Sequence, residues 1–221
     1  MQNASSKDMS TNFRWHNNQS ILHTLTLLDL FNESVRDQHL IRLMTEYGSP
    51  TKAHAASMTV KRIGYVAALL IYARIKHSVL ISPNECKFIT IPDESINASW
   101  LPDYSFPLET AVLGQSTVEW ITKELYAKTL VPLIVLFAKE KGISRVVLFE
   151  NIFTYIKWIF ISKLQDELTF QQLLKTPASE YGVSKQHPLA LYERGPSASR
   201  KTCCLYYQTH GAVKSCKTCP L

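Results

Sequence analysis

The tightest constraint on this chain lies near its C-terminal end, where four of its five cysteines fall within nineteen residues. The segment 200–221 reads R-K-T-C-C-L-Y-Y-Q-T-H-G-A-V-K-S-C-K-T-C-P-L, with Cys203 beside Cys204 and Cys216 separated by two residues from Cys219. Eleven residues stand between the two pairs. Soft thiolates of this kind select zinc, copper(I) or iron–sulfur clusters over hard cations. Zinc suits four cysteines, and Cys216-x2-Cys219 is an ordinary zinc half-site. Adjacent cysteines are not, because two neighbouring side chains reach one small tetrahedral ion only with backbone distortion. A 2Fe–2S rhomb is larger, carries two irons and needs thiolates spread around it, which adjacent cysteines fit better. Spacing alone therefore leaves three options open: a cluster, a four-cysteine zinc site, and a dithiol or vicinal disulfide.

The same segment resembles the C-terminal signature of the ferric-siderophore reductases, the ferric-hydroxamate-uptake type, in which C-C-x10-C-x2-C binds a 2Fe–2S cluster. Arg200, Lys201 and Thr202 before the first pair share in the likeness, as do Leu205 and Tyr206 after it and Cys219-Pro220 at its close. Here the connecting loop is one residue longer than the family's ten, a cheap change in a loop. The resemblance covers about the last thirty residues. It implies one 2Fe–2S cluster on Cys203, Cys204, Cys216 and Cys219, and an oxidoreductase that passes single electrons to chelated iron(III) for iron assimilation. It also implies a ferric siderophore or other ferric chelate as substrate.

The flanking cations Arg194, Arg200, Lys201, Lys214 and Lys217 suit an anionic chelate. They are the candidate substrate-binding residues; a solvated loop surface is the plainer alternative. His210 is a possible neighbour of the cluster, but four cysteines suffice without it. No G-x-G-x-x-G occurs, so neither flavin nor nicotinamide is expected on a Rossmann module. Electrons are then expected from a donor protein or a soluble reductant. The competing reading is a non-enzymatic binding module with structural zinc on the four cysteines and a basic surface; an iron–sulfur sensor or siderophore-binding protein without turnover is a further one. The net charge of +6 and pI near 9.0 do not choose among acidic partners, though the leading reading involves no nucleic acid.

Elsewhere the chain reads as an ordinary globular protein, 46% apolar and 19% charged. Residues 1–16 lack the apolar core of a secretory leader and read as a flexible N-terminus. The apolar runs 63–75, 129–138 and 146–161 are too short to span a bilayer, and the last contains Glu150 and Lys157. No stable membrane insertion is expected, and a cytoplasmic setting follows, where clustered thiols mean metal or redox chemistry.

The fold class expected is α+β: a helix-rich single domain over 17–195, with a small antiparallel sheet, followed by a cluster-binding segment over 196–221. Helical spacing runs from Asn17 to Tyr47, through Ile21, Leu25, Leu28 and Phe31, then Leu40, Leu43 and Met44. A second helix is expected over Ala55 to His77, with Arg74, Lys76 and His77 in its last turn. Four prolines between Val79 and Gly114 break long helices there, and Cys86 to Ile91 alternates like a strand. Ser116 and Ser144 are candidate caps for two later helices: the first runs through Lys128 or beyond, with Pro132 kinking it or starting a new one and Gly142 stopping the segment, and the second reaches about Leu164. A short helix is expected over Thr169 to Lys175. Cys86 reads as a small buried hydrophobe, and the four tryptophans as core packing or a substrate-facing wall.

Overall fold

The computed structural model describes residues 4–16, 23–79, 82–90, 101–108, 114–195, 198–209 and 219–220. Its centre is one long helix, α3 (Lys52–His77), begun by Thr51, whose side chain accepts the His54 amide. Most of its residues are buried, on all sides rather than along one stripe. A helix apolar nearly all round is one the rest of the chain wraps. Small side chains set how closely it can be wrapped. Gly64 lies where α6 (Arg145–Trp158) crosses, and a Cβ there would stand 3.0 Å from the Ile152 Cα.

The helices α2 (Glu33–Tyr47), α5 (Val131–Phe137) and α6 pack around α3, with α7 (Glu167–Lys175) further out. Their starts follow from side-chain caps: Asn32 on α2, Ser144 on α6 and Asp166 on α7. Ser116 caps α4 (Thr117–Glu119), which continues through the wider turns of Trp120–Leu130 into α5, with Pro132 in its first turn. In those wider turns the Val131 amide reaches back five residues to the Tyr126 carbonyl. Gly142, at φ +97°, breaks the chain between α5 and α6. The helices expected over 55–77, from Ser116 through Lys128 or beyond, from Ser144 to about Leu164, and over 169–175 are thus all present.

A three-stranded antiparallel sheet in the order β1 (His23–Thr26), β2 (Lys87–Thr90), β3 (Asp103–Ser105) covers one side. Register puts Leu25 opposite Phe88, and Phe88 opposite Tyr104, so these three form one buried row across the sheet. Helix-rich α+β is therefore the architecture.

Two local expectations change. The helix expected from Asn17 to Tyr47 is a strand, a single tight turn over Asp29–Phe31, and then α2; residues 17–22 lie outside the described ones. The strand ends because Thr26 and Asp29 bond reciprocally: the Thr26 amide donates to Asp29 Oδ2 at 2.8 Å, and the Asp29 amide donates to Thr26 Oγ1 at 3.0 Å. Residues 4–16, expected as a flexible lead-in, are built into the core. Helix α1 (Ala4–Asn12) buries Met9, and beyond it Phe13 and Trp15 are also buried. The Tyr104 amide donates to the Arg14 carbonyl, which fastens this segment along β3. No helix among the described residues is long and apolar enough to cross a membrane.

Candidate metal centre

The cysteine segment is docked into the groove where α3 and α6 cross. A helix repeats a face every three to four residues, and His54, Ser57 and Lys61 stand in such a row on α3. Each meets the segment. The Ser57 hydroxyl donates to the Cys204 carbonyl at 2.7 Å. His54 is hydrogen-bonded through Nε2 to Thr209 Oγ1 and through Nδ1 to Ser49 Oγ, both at 3.0 Å. The Lys61 ammonium lies 3.8 Å from Cys204 Sγ and over the Tyr206 ring.

From α6 come Glu150 and Asn151, both buried. The Glu150 carboxylate accepts the amides of Lys201 and Thr202 and the Thr202 hydroxyl. Asn151 Nδ2 donates to Ser57 Oγ at 2.9 Å, while its Oδ1 accepts from Arg200 Nη2 at 2.6 Å. Arg200 Nε stands 3.7 Å from Glu150 Oε2 and has no hydrogen-bond partner among the described residues, where it meets the carboxylate's charge instead. A buried guanidinium and carboxylate are thus each held by several groups, the condition under which buried charge is tolerated.

These contacts fix the backbone on both sides of Cys203 and Cys204. Leu205 then takes the left-handed conformation at φ +62°, uncommon for a branched side chain. That turn aims its amide at Cys203 Sγ, 3.4 Å away. The Cys203 thiol is pushed up, first by burial and then by its neighbours Cys204 and Cys219, while the Leu205 amide pulls it down. Cys203, Cys204 and Cys219 are all free thiols, and Cys204 and Cys219 lie near enough to Cys203 to raise its pKa. Among the described residues, no three His, Cys, Asp or Glu side chains are grouped so that they could hold a metal ion. Cys216, the fourth of the signature, lies outside those residues.

As donors the three thiols suit a soft metal centre, and amide and ammonium groups already point at their sulfurs. A 2Fe–2S cluster fits this donor set.

The other candidates separate. Lys201 and Arg194 are exposed. Arg200 is not: it is 8% exposed and spent on Asn151 and Glu150, so it ties the segment down instead of offering charge to solvent. Lys214, Lys217 and His210 lie outside the described residues. Tyr206 is half-buried beneath Lys61, and Tyr207 is 51% exposed. Trp15 and Trp120 are core residues, and Trp100 lies outside the described ones. Cys86 is fully enclosed, and burial, with Glu85 beside it, drives its thiol well above the ordinary range, as befits an inert packing residue.

Sequence reasoning missed the receiving surface: Ser57, His54 and Lys61 on α3, Glu150 and Asn151 on α6. Its one visible trace was polar side chains interrupting apolar helical runs.

With the geometry in place, comparison with protein families matches residues 200–221 to the FhuF 2Fe-2S C-terminal domain. The resemblance to the ferric-siderophore reductases thus holds over those residues. No curated protein and no solved structure matches the chain.

Proposed function

We propose that the chain is a ferric-siderophore reductase, delivering one electron to chelated iron(III) so that iron leaves as iron(II). The observation that carries this is the family match over residues 200–221, a 2Fe–2S domain, on a segment anchored to α3 and α6 on both sides of Cys203 and Cys204. When bound to Cys203, Cys204, Cys216 and Cys219, the cluster supplies a one-electron couple, the step iron(III) to iron(II) requires.

The substrate's chemistry makes the direction sensible. Oxygen donors favour the more highly charged ferric ion, so reduction weakens the chelate and releases the metal. The same preference makes the ferric complex hard to reduce, by about 59 mV for each tenfold difference in affinity. Prompt capture of iron(II) draws the step forward.

The protein's part is to place the two centres close together. Glu150, Asn151 and Ser57 hold the cysteine segment against rigid helices. Lys201, exposed on that segment, offers an anionic chelate a positive charge. The electron donor on this reading is another protein or a soluble reductant.

The test is kinetic. Pre-reduced protein is mixed with ferric chelates of different charge in the presence of an iron(II) trap, and return of the oxidised visible spectrum is followed. Reoxidation with stoichiometric iron(II) is the expected result. A protein that carries the cluster yet is oxidised by none of the chelates is not a reductase. A colourless protein with one zinc is the binding module instead.

A further inference from the structure

Lys61 is the one α3 side chain in the docking row that reaches a cysteine sulfur among the described residues. Its ammonium stands 3.8 Å from Cys204 Sγ and 4.7 Å from the centroid of the Tyr206 ring. One turn earlier, Ser57 holds the carbonyl of the same cysteine at 2.7 Å. Cys204 is thereby registered against α3 twice, by backbone and by sulfur, and is only 2% exposed. A long flexible amine ordinarily carries its charge outward to water. Here the face of Tyr206 gives it a reason to stay, because a cation over an aromatic ring is attracted to the ring's negative face.

We propose that Lys61 is a positioning residue for the redox centre: its ammonium donates to the Cys204 sulfur and favours the reduced, more negative state of the bound group. The proposal rests on the cluster reading given above. The physical reason is differential. A fixed cation beside a ligand sulfur interacts more strongly with the state carrying the extra electron. Hydrogen bonds to the sulfurs and local charge are two of the levers by which a protein sets such a potential. Charge-assisted donors are the stronger kind. The Leu205 amide, 3.4 Å from Cys203 Sγ, gives the neighbouring cysteine a neutral donor of the same type, so the adjacent pair is served by two donors of unequal charge.

The experiment is a spectroelectrochemical titration of the full chain, purified without oxygen, as wild type, Lys61→Gln, Lys61→Arg and Tyr206→Leu. Iron and sulfide content and the thermal melt are recorded for each. Lys61→Gln is expected to lower the ratio of reduced to oxidised protein at a fixed ambient potential by about tenfold, equivalent to about 59 mV for one electron. Lys61→Arg, which keeps the charge and the donors, should restore the wild-type midpoint. Tyr206→Leu, which frees the amine to swing away, should move the midpoint in the same direction as Lys61→Gln and by less.

A lysine that only braced the segment would change the melt and leave every midpoint in place, and that result overturns the proposal. If Lys61→Gln fails to assemble, the Tyr206→Leu midpoint decides: unmoved, it overturns the proposal just as firmly. Failure of the reductase reading is separate, since a cluster whose midpoint shifts as stated can still prove unreactive toward every chelate. A wild-type protein holding zinc removes both.

Discussion

The carboxylate of Glu150 accepts the Thr202 amide at 2.7 Å, which joins the middle of α6 to the residue just before the adjacent cysteines. The same carboxylate takes the Lys201 amide and faces the Arg200 guanidinium. One buried anion thus orders three consecutive residues, and the cysteines inherit that order. The site is built on helices, which hold a constellation more tightly than a free loop would.

Replacing Glu150 with Ala should therefore do more than remove one hydrogen bond. It leaves Arg200 buried without its counter-charge and two amides without an acceptor. Breaking a buried pair by taking one partner costs about 3 kcal/mol or more. Chemical denaturation should show a loss of that order, together with iron content well below wild type. Full iron occupancy in a variant of unchanged stability would contradict the tether.

Ser57→Ala tests the α3 side of the dock. The hydroxyl that donates to the Cys204 carbonyl and accepts from Asn151 is lost, at a cost of about 1–2 kcal/mol. Hydrogen exchange should report faster opening around residues 202–206, with the α2–α3 contact unaffected. Uniform exchange across the whole chain would place Ser57 in the general core instead.

Gly64→Ala tests the crossing itself. The new methyl would stand 3.0 Å from the Ile152 Cα and 3.2 Å from the Asn151 carbonyl, both backbone atoms with little room to give. Helix α6 must move, and Glu150 and Asn151 move with it. Overpacking of this kind costs about 1–3 kcal/mol. The melting temperature and the iron content should fall together; an unchanged melt would mean the helices do not approach this closely.

His54 gives the dock a pH dependence. Burial, and after it the Lys61 ammonium, holds its pKa below the ordinary value of 6.5. The folded chain then binds this proton less readily than the unfolded chain does. Its contribution to stability is complete above about pH 6.5 and is lost progressively as the pH falls below that. Denaturation curves between about pH 7 and about pH 5 should show wild type losing stability more steeply than His54→Gln. Parallel slopes in the two proteins would rule the histidine out as the source.

The central helix was legible because Val60, Ile63, Val66, Leu70 and Ala73 repeat at helical spacing and nothing in the run competes with it. The first strand was not. Leu25 and Leu28 lie three apart, as on a helix, while the four-residue strand places a single residue, Leu25, in the buried row opposite Phe88, too little for alternation to show. The decisive evidence was local chemistry, the Thr26–Asp29 exchange, which hydrophobic spacing does not register. The α1 segment was misjudged for a different reason: Met9 and Phe13 are one turn apart, but they are few among polar neighbours, and only tertiary contact makes them core.

For the site, the cysteines stand out in the sequence because thiolate spacing is itself chemistry. Glu150 was visible only as a charge in an apolar run, since nothing local says what a buried carboxylate will meet. Its partners, Arg200 to Thr202, are some fifty residues away along the chain. The same distance hid the burial of Arg200, whose charge looked available to a ligand until Asn151 and Glu150 were seen to enclose it.

The most direct test is the metal content and spectrum of the full chain purified without oxygen. The expected result is two irons and two inorganic sulfides per chain, a visible charge-transfer spectrum, and a one-electron paramagnetic signal on reduction, all lost in Cys204→Ser. One zinc per chain, with neither iron nor sulfide and no colour, would contradict it.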